Sequence, residues 1–169
     1  MVEVTRTFLE MRDPGQLKRK ELPAESRARF VRRQPCSVER FRELYKRVGE
    51  KWHWEDRNVW SDERLARELD NPDLHTWELL VGEELAGFFQ LEKQAGPVVE
   101  IVYFGLTGDF IGQGLGGAML TKAVDEAWAL GTESVWLHTC TLDSPMALPN
   151  YESRGFVRTG KVETYTVQL

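Results

Sequence analysis

Apolar residues recur along this chain in two different periods, and each change of period marks a change of element. After Ser37, Phe41, Leu44, Tyr45 and Val48 follow at i, i+3, i+4 and i+7, one face of a helix. Ser37 is placed to cap that helix and Gly49 to stop it. Ser61 caps a second, shorter helix that turns Leu65 and Leu69 inward, and Asn71-Pro72 ends it. The period then falls to that of strands. Residues 76–81, 85–92 and 98–106 are short apolar runs separated by Gly82-Glu83-Glu84 and Gly96-Pro97, which predicts a three-strand antiparallel meander. A stronger helix comes next, with Leu120, Ala123, Val124, Ala127 and Trp128 on its buried face and Gly131 at its end. Residues 134–138 read as a strand, 144–153 as a short helix, and 156–169 as a closing strand. Upstream, 5–11 and 28–32 read as strands around the turn chemistry of Asp13-Pro14-Gly15.

This order implies an α/β class. The chain crosses from strand 98–106 through a helix to strand 134–138, and such a crossover is right-handed and makes the two strands parallel. The expected architecture is a mixed, mostly antiparallel central sheet with one parallel pair and flanking helices. The 169 residues suit a single domain, 1–169, with 1–27 as an N-terminal extension packed on it. Composition narrows the function more than the fold. A net charge of -5 argues against a nucleic-acid partner and leaves room for cationic amines. Cys36 and Cys140 are expected as reduced thiols, and no spacing suggests a metal site. No apolar run approaches the roughly 18–20 residues of a membrane span, and the N-terminus lacks a signal pattern, so a cytoplasmic protein without a membrane partner is the expectation.

The run Gly112-Gln113-Gly114-Leu115-Gly116-Gly117 satisfies the dinucleotide pattern G-x-G-x-x-G. Its context argues against that cofactor. The pattern belongs at the start of a parallel sheet with an acidic residue ending the next strand. Here a meander precedes it, and the next strand ends in His138-Thr139-Cys140. The physics of the loop survives. Glycines let a backbone approach a ligand closely, and a strand-to-helix turn aims free N–H groups and the helix dipole at an anion. The plainer alternative is a tight turn whose glycines serve packing alone.

The neighbouring residues favour the anion. Glu100-Ile-Val-Tyr-Phe-Gly-Leu106, a loop, Gly112–Gly117 and an amphipathic helix together resemble the GCN5-related N-acetyltransferase superfamily. That family's phosphate loop is written Q/R-x-x-G-x-G/A, and Gly114 and Gly116 take its glycine positions. Downstream, Ala147-Leu-Pro-Asn-Tyr151-Glu-Ser-Arg-Gly155-Phe156 resembles the family's A-x-x-x-Y-x-x-x-G-F stretch. The resemblance implies the acyl-CoA N-acyltransferase fold, acetyl-CoA as co-substrate and an amine acceptor. It places the pyrophosphate on the backbone of Gly112, Gln113, Gly114, Leu115, Gly116 and Gly117. It runs the pantetheine arm beside Phe104, Gly105 and Leu106, with a strand bulge at Gly105–Leu106, and puts Ser144 near the cofactor. Two departures stand out. Ile111 occupies the position usually held by Gln or Arg, so the loop must bind mainly through backbone. Ser144 stands where Asn is common.

Direct attack on a thioester needs a neutral amine. With a pKa of ~10.4, only about one alkylamine in 2,500 is neutral at pH 7. By the resemblance Glu100 is the candidate general base, and a charged residue within an apolar strand is costly unless paired or functional. Tyr151 is the candidate general acid for the departing thiolate. Their plainer readings are an ion-paired glutamate and a packing tyrosine. Strand alternation puts Tyr103 on the face opposite Glu100 and Phe104. His138 and Cys140 share one face, and a structural or cleft-lining role is expected of them rather than a nucleophile pair. By the resemblance the segment between the first two helices walls the acceptor pocket, where Trp52, Trp54, Asp56 and Trp60 suit a cation; the plainer reading is a helix connection that plugs the core with tryptophan. The acceptor itself stays open among small amine, amino acid, antibiotic and protein lysine, as does monomer against homodimer. A catalytically weak acyl-CoA-binding or regulatory module is the alternative function.

Overall fold

The computed structural model describes residues 1–169. One seven-stranded sheet organises it: β1 (Val2–Met11), β2 (Ala28–Arg33), β3 (Leu74–Val81), β4 (Glu84–Gln94), β5 (Val98–Leu106), β6 (Ser134–Cys140) and β7 (Val157–Val167), in the spatial order β2-β3-β4-β5-β6-β1-β7. Helices α1 (Val38–Gly49) and α2 (Asp62–Leu69) cover one face of the β2–β5 half; α3 (Leu115–Ala129) and α4 (Ala147–Ser153) lie on the other face. The caps are as the sequence predicts: Ser37 Oγ accepts from the Arg40 N–H and Ser61 Oγ from the Arg64 N–H. The meander is antiparallel and β5 runs parallel to β6.

Two hydrophobic layers sandwich the sheet. Leu79, Phe89, Leu91, Val99, Ile101, Val135 and Leu137 turn toward α3, and Phe88 and Tyr103 pack with Phe41, Leu44, Tyr45 and Val48 of α1. The period of α1 therefore faces the core as its spacing requires.

β1 lies inside the sheet, antiparallel to both neighbours, with Leu9 opposite Leu137 of β6 and Val4 opposite Tyr165 of β7. Residues 12–27 then cross the α3–α4 layer to reach β2 on the far edge. The crossing is pinned at three points. The Lys18 N–H donates to the Arg154 carbonyl, the Lys20 N–H to Thr121 Oγ1, and the Arg19 guanidinium to both carboxylate oxygens of Asp125 at 2.9 and 2.7 Å. Leu17 and Leu22 add apolar contact with the core.

Gly155 permits that crossing. Its φ of +108° is strained for any residue with a side chain, and a Cβ there would fall inside the van der Waals radius of the Gln16 carbonyl oxygen. Gly155→Ala is expected to cost about 2 kcal/mol or more through backbone strain and a displaced crossing. Chemical denaturation measures this directly, and an unchanged midpoint refutes it.

The bulge in β5 is not where the family resemblance put it. Register shifts between the pairs Leu91↔Ile101 and Gln90↔Tyr103, leaving Val102 as the extra residue, and Gly105 stays paired with Phe88. The inserted residue reverses alternation. Glu100 thereby lies on the face opposite Phe104, and Tyr103 joins the α1 layer on the Glu100 side, correcting the expectation from simple alternation.

Candidate functional site

β5 and β6 pair for only three residues, Val98↔Ser134, Val99↔Val135 and Glu100↔Trp136, and then part. Beyond the split, Ile101–Leu106 of β5 keeps its bonds to β4 but leaves its other edge without a strand partner. A cavity of about 790 Å3 fills the gap. Its floor is β5, its outer end the glycine turn, its far wall α4 and the loop before it, and its inner end the segment after α1.

The turn leaves backbone donors open at the helix end. Gly112 and Gly114 have φ of +86° and +78°, conformations that favour glycine, and Gly114 leads directly into α3. No side chain caps this helix end, so its first N–H groups remain free toward the cavity. Gly112, Gly114, Gly116 and Gly117 line the space, as do Phe104, Gly105, Leu106 and Ser144. The other two residues of the turn, expected there through their backbone, send their side chains elsewhere. Leu115 is 3% exposed and belongs to the core, and Gln113 turns away to donate to the Asp109 carbonyl. Ile111 lines the cavity, but as an apolar side chain.

Tyr151 lines the same space, held edge-on by Phe104 and Phe156 at ring separations of 5.8 and 6.4 Å. Burial, and secondarily the charge of Asp143, push its phenol above its ordinary value. Asp143 itself is fixed, accepting from Thr139 Oγ1 at 2.6 Å and from the Cys140 N–H at 2.9 Å.

Glu100 sits at the apex of the split, just behind the cavity lining. Gln94 donates to its Oε1 at 2.9 Å, Trp136 donates in turn to Gln94, and its Oε2 lies 4.0 Å from His138 Nε2. Burial raises the Glu100 carboxyl above the usual range; the Gln94 hydrogen bond opposes this and Glu92 on the next strand adds to it. His138 does line the cavity, as does Cys140. Burial, then the nearby Arg6 charge, hold its imidazole below the ordinary value, so the ring is neutral at pH 7.

At the inner end Trp52, Trp54 and Asp56 line the cavity. Tyr45 and Tyr103 both donate their hydroxyls to Asp56, the latter at 2.7 Å, and Arg57 pairs with it at 2.9 Å. Trp60 is not part of this wall. It is stacked between the Arg57 and Arg64 guanidiniums, at 4.1 and 3.8 Å from its ring centre.

Several lining residues lay outside the sequence reading. Arg6 and Tyr165 come from β1 and β7, and nothing in their local pattern forecasts that those strands flank β6. Lys20 comes from the crossing segment. Arg154 alone carried a signal, as the basic residue beside Gly155 in the tyrosine stretch.

The family model described as Acetyltransferase (GNAT) family matches residues 39–156. The chain belongs to the GNAT acetyltransferase family. Among sequence relatives, the mycothiol acetyltransferase of Corynebacterium glutamicum (strain R) is 30% identical over 111 residues, which is 62% of this chain and 36% of that protein. This GNAT chain thus spans about a third of the length of the curated relatives it matches. Among solved structures, an aminoglycoside acetyltransferase from an uncultured soil metagenomic sample superposes with TM-score 0.68 at 17% identity, over 85% of this chain and 97% of that one. A GCN5-related N-acetyltransferase from Kribbella flavida gives TM-score 0.67 at 19% identity, over 95% of this chain and 56% of that one. These structures share the GNAT fold with the chain. No helix is long and apolar enough to cross a membrane, and no three His, Cys, Asp or Glu side chains cluster as metal ligands.

Proposed function

We propose that this GNAT domain transfers the acetyl group of acetyl-CoA to an amine by direct attack, with Glu100 as general base and Tyr151 assisting the leaving thiolate. The observation that carries this is the parting of β5 and β6 immediately after Glu100. It leaves an open strand edge leading from an uncapped helix N-terminus to a buried carboxylate. The free edge of Ile101–Leu106 suits the amide groups of a pantetheine arm, added like another strand. The uncapped turn suits a pyrophosphate. A carboxyl pKa raised by burial makes Glu100 a stronger base than an ordinary carboxylate.

Because Glu100 stands behind the lining, the amine proton reaches it through a bridging water or through the neutral His138 ring. The amine nitrogen bonds to the thioester carbon, and the carbon–sulfur bond breaks as the electron pair leaves on sulfur. Tyr151 cannot surrender its proton outright. Its phenol is raised above ~10, whereas a thiol of ordinary kind titrates near ~8.5, so it acts as a hydrogen-bond donor to the thiolate. Tyr151→Phe is therefore expected to lower kcat about 10- to 100-fold with little change in KM for acetyl-CoA. A rate equal to wild type would remove Tyr151 from the chemistry.

The acceptor belongs to the amine class. Trp52, Trp54 and Glu55 at the inner end offer aromatic faces and a carboxylate to an ammonium group before it is deprotonated, while Asp56 is held by Tyr45, Tyr103 and Arg57. The test is thiol release from acetyl-CoA across a panel of small amines, amino acids, aminoglycosides and lysine peptides. Turnover of a panel member supports the proposal. Acetyl-CoA binding with no acceptor turned over favours a binding or regulatory module instead.

A further inference from the structure

The outer end of the cavity carries two cations that no anion of the protein neutralises. Lys20 arrives on the crossing segment and Arg154 from the end of α4. The Arg154 Nε is shut away from solvent with no hydrogen-bond partner. The neighbouring carboxylates are already engaged: Asp125 and Glu21 with Arg19, and Glu152 with Arg158. Both cations reach over the first turn of α3. A Cβ placed on Gly117 would lie 2.6 Å from Lys20 Cδ and 2.8 Å from Arg154 Nη1.

Two positive charges gathered at the positive end of a helix repel each other and the helix dipole. A buried, unpartnered guanidinium nitrogen adds a desolvation cost. Neither charge is needed to hold the crossing in place, because the Lys20 backbone N–H and the Arg19–Asp125 pair do that. An anion bound between the cations reverses both penalties at once.

We propose that Lys20 and Arg154 form a clamp on the phosphate groups of a coenzyme A thioester, and that residues 12–27 are the device that delivers half of it. The clamp rests on the acetyl-CoA reading above. It supplies in side chains what Ile111 withholds from the glycine turn. Lysine contributes a compact charge and arginine a planar fork that fits two phosphate oxygens. Lys20 lies outside residues 39–156, so this half of the site is not part of the family match.

The test is equilibrium binding to the full chain, followed by calorimetry or by the fluorescence of Trp52 and Trp54. The probes are acetyl-CoA, its 3′-dephospho form, and acetyl-pantetheine, which has no phosphate. Lys20→Gln and Arg154→Gln are each expected to weaken acetyl-CoA about 10-fold, with Arg154→Lys retaining part of the affinity. Acetyl-pantetheine, read by competition, is expected to bind the variants as it binds wild type. If removing the 3′-phosphate costs wild type the same factor and the variants lose nothing further, the clamp holds that phosphate. If the variants weaken both nucleotides alike, it holds the pyrophosphate. Two outcomes overturn the clamp: unchanged acetyl-CoA affinity in both variants, or acetyl-pantetheine weakened as much as acetyl-CoA. A folded wild-type chain that binds no acetyl-CoA overturns the acetyl-CoA reading and the clamp together, whereas unaffected variants of a binding wild type overturn the clamp alone.

Discussion

Replacing Glu100 by Gln is expected to lower kcat/KM at pH 7 by about 10²- to 10³-fold, and the deficit should shrink as pH rises. The reason lies in the acceptor. Keeping an alkylamine neutral at pH 7 costs ~4.6 kcal/mol, at 1.36 kcal/mol per pK unit below ~10.4. A buried base offsets part of that only while the amine still has a proton to give. Near pH 10 more than a quarter of the amine is already neutral, at pKa ~10.4, so the variant should approach wild type. At the acid end, wild type should lose activity through a group titrating above the ordinary carboxylate range, because burial raises Glu100. That limb should be missing in the variant. A deficit that stays constant from pH 6 to pH 10 would argue that Glu100 holds Gln94 and Trp136 in place rather than accepting a proton.

The largest stability effect is expected elsewhere in the sheet, at Glu78. This carboxylate is 0% exposed on β3 and is held by Arg33 of β2 and Arg40 of α1. Arg33 Nε donates to Oε2 at 2.7 Å, Arg40 Nε to the same oxygen at 2.8 Å, and Arg40 Nη2 to Oε1. Burial alone would raise the Glu78 carboxyl; the hydrogen bonds from Arg40 and Arg33 outweigh it and hold the group below its ordinary value. Its contribution to stability is therefore present above the unfolded value of ~4.3 and fades as pH falls through the lower, folded value.

The two ends of this ion pair are not equivalent. The arginine side chains are 41% and 28% exposed and can rehydrate, whereas Glu78 cannot. Arg40→Met should thus cost about 3 kcal/mol by leaving a buried carboxylate with Arg33 alone, and the Arg40→Met/Glu78→Met double variant should recover much of it. The pH response should also change. With Arg40 gone only Arg33 opposes burial, so the Glu78 pKa should move up from its wild-type position and mild acid should narrow the gap to wild type. Denaturant midpoints at pH 5 and pH 7 measure both effects, and a double variant no more stable than the single one refutes the account.

The fold was legible wherever a residue's neighbours in space are its neighbours in sequence. The i, i+3, i+4 spacing of Phe41, Leu44 and Tyr45, the Ser37 and Ser61 caps and the Gly82 and Gly96 turns act within a few residues, and each element formed as they require. The glycine turn was legible for the same reason. What escaped were long-range consequences. The bulge at Val102 arises from register against β4, and no residue type at 102 announces it; yet it decides that Glu100 and Phe104 face opposite ways. The aromatic segment after α1 showed its chemistry but not its geometry, so Trp54 and Trp60 looked alike although only the first reaches the cavity. Arg6, Lys20 and Tyr165 reach the site only because the first and last strands meet beside β6.

That meeting has a consequence for how the chain is made. β1 is translated before the other six strands, yet its hydrogen-bonding partners are residues 135–140 on one side and 157–167 on the other. Closing loops that long is entropically costly and slows folding. During synthesis Val4, Leu9 and Met11 wait as an apolar strand with both edges bare, the state most open to wrong partners. The meander and its helices can assemble meanwhile, but the β6 side of the groove is completed last. A nascent chain of this design has the aromatic segment after α1 in place early, and its cavity stays unmade until residues 157–167 have followed.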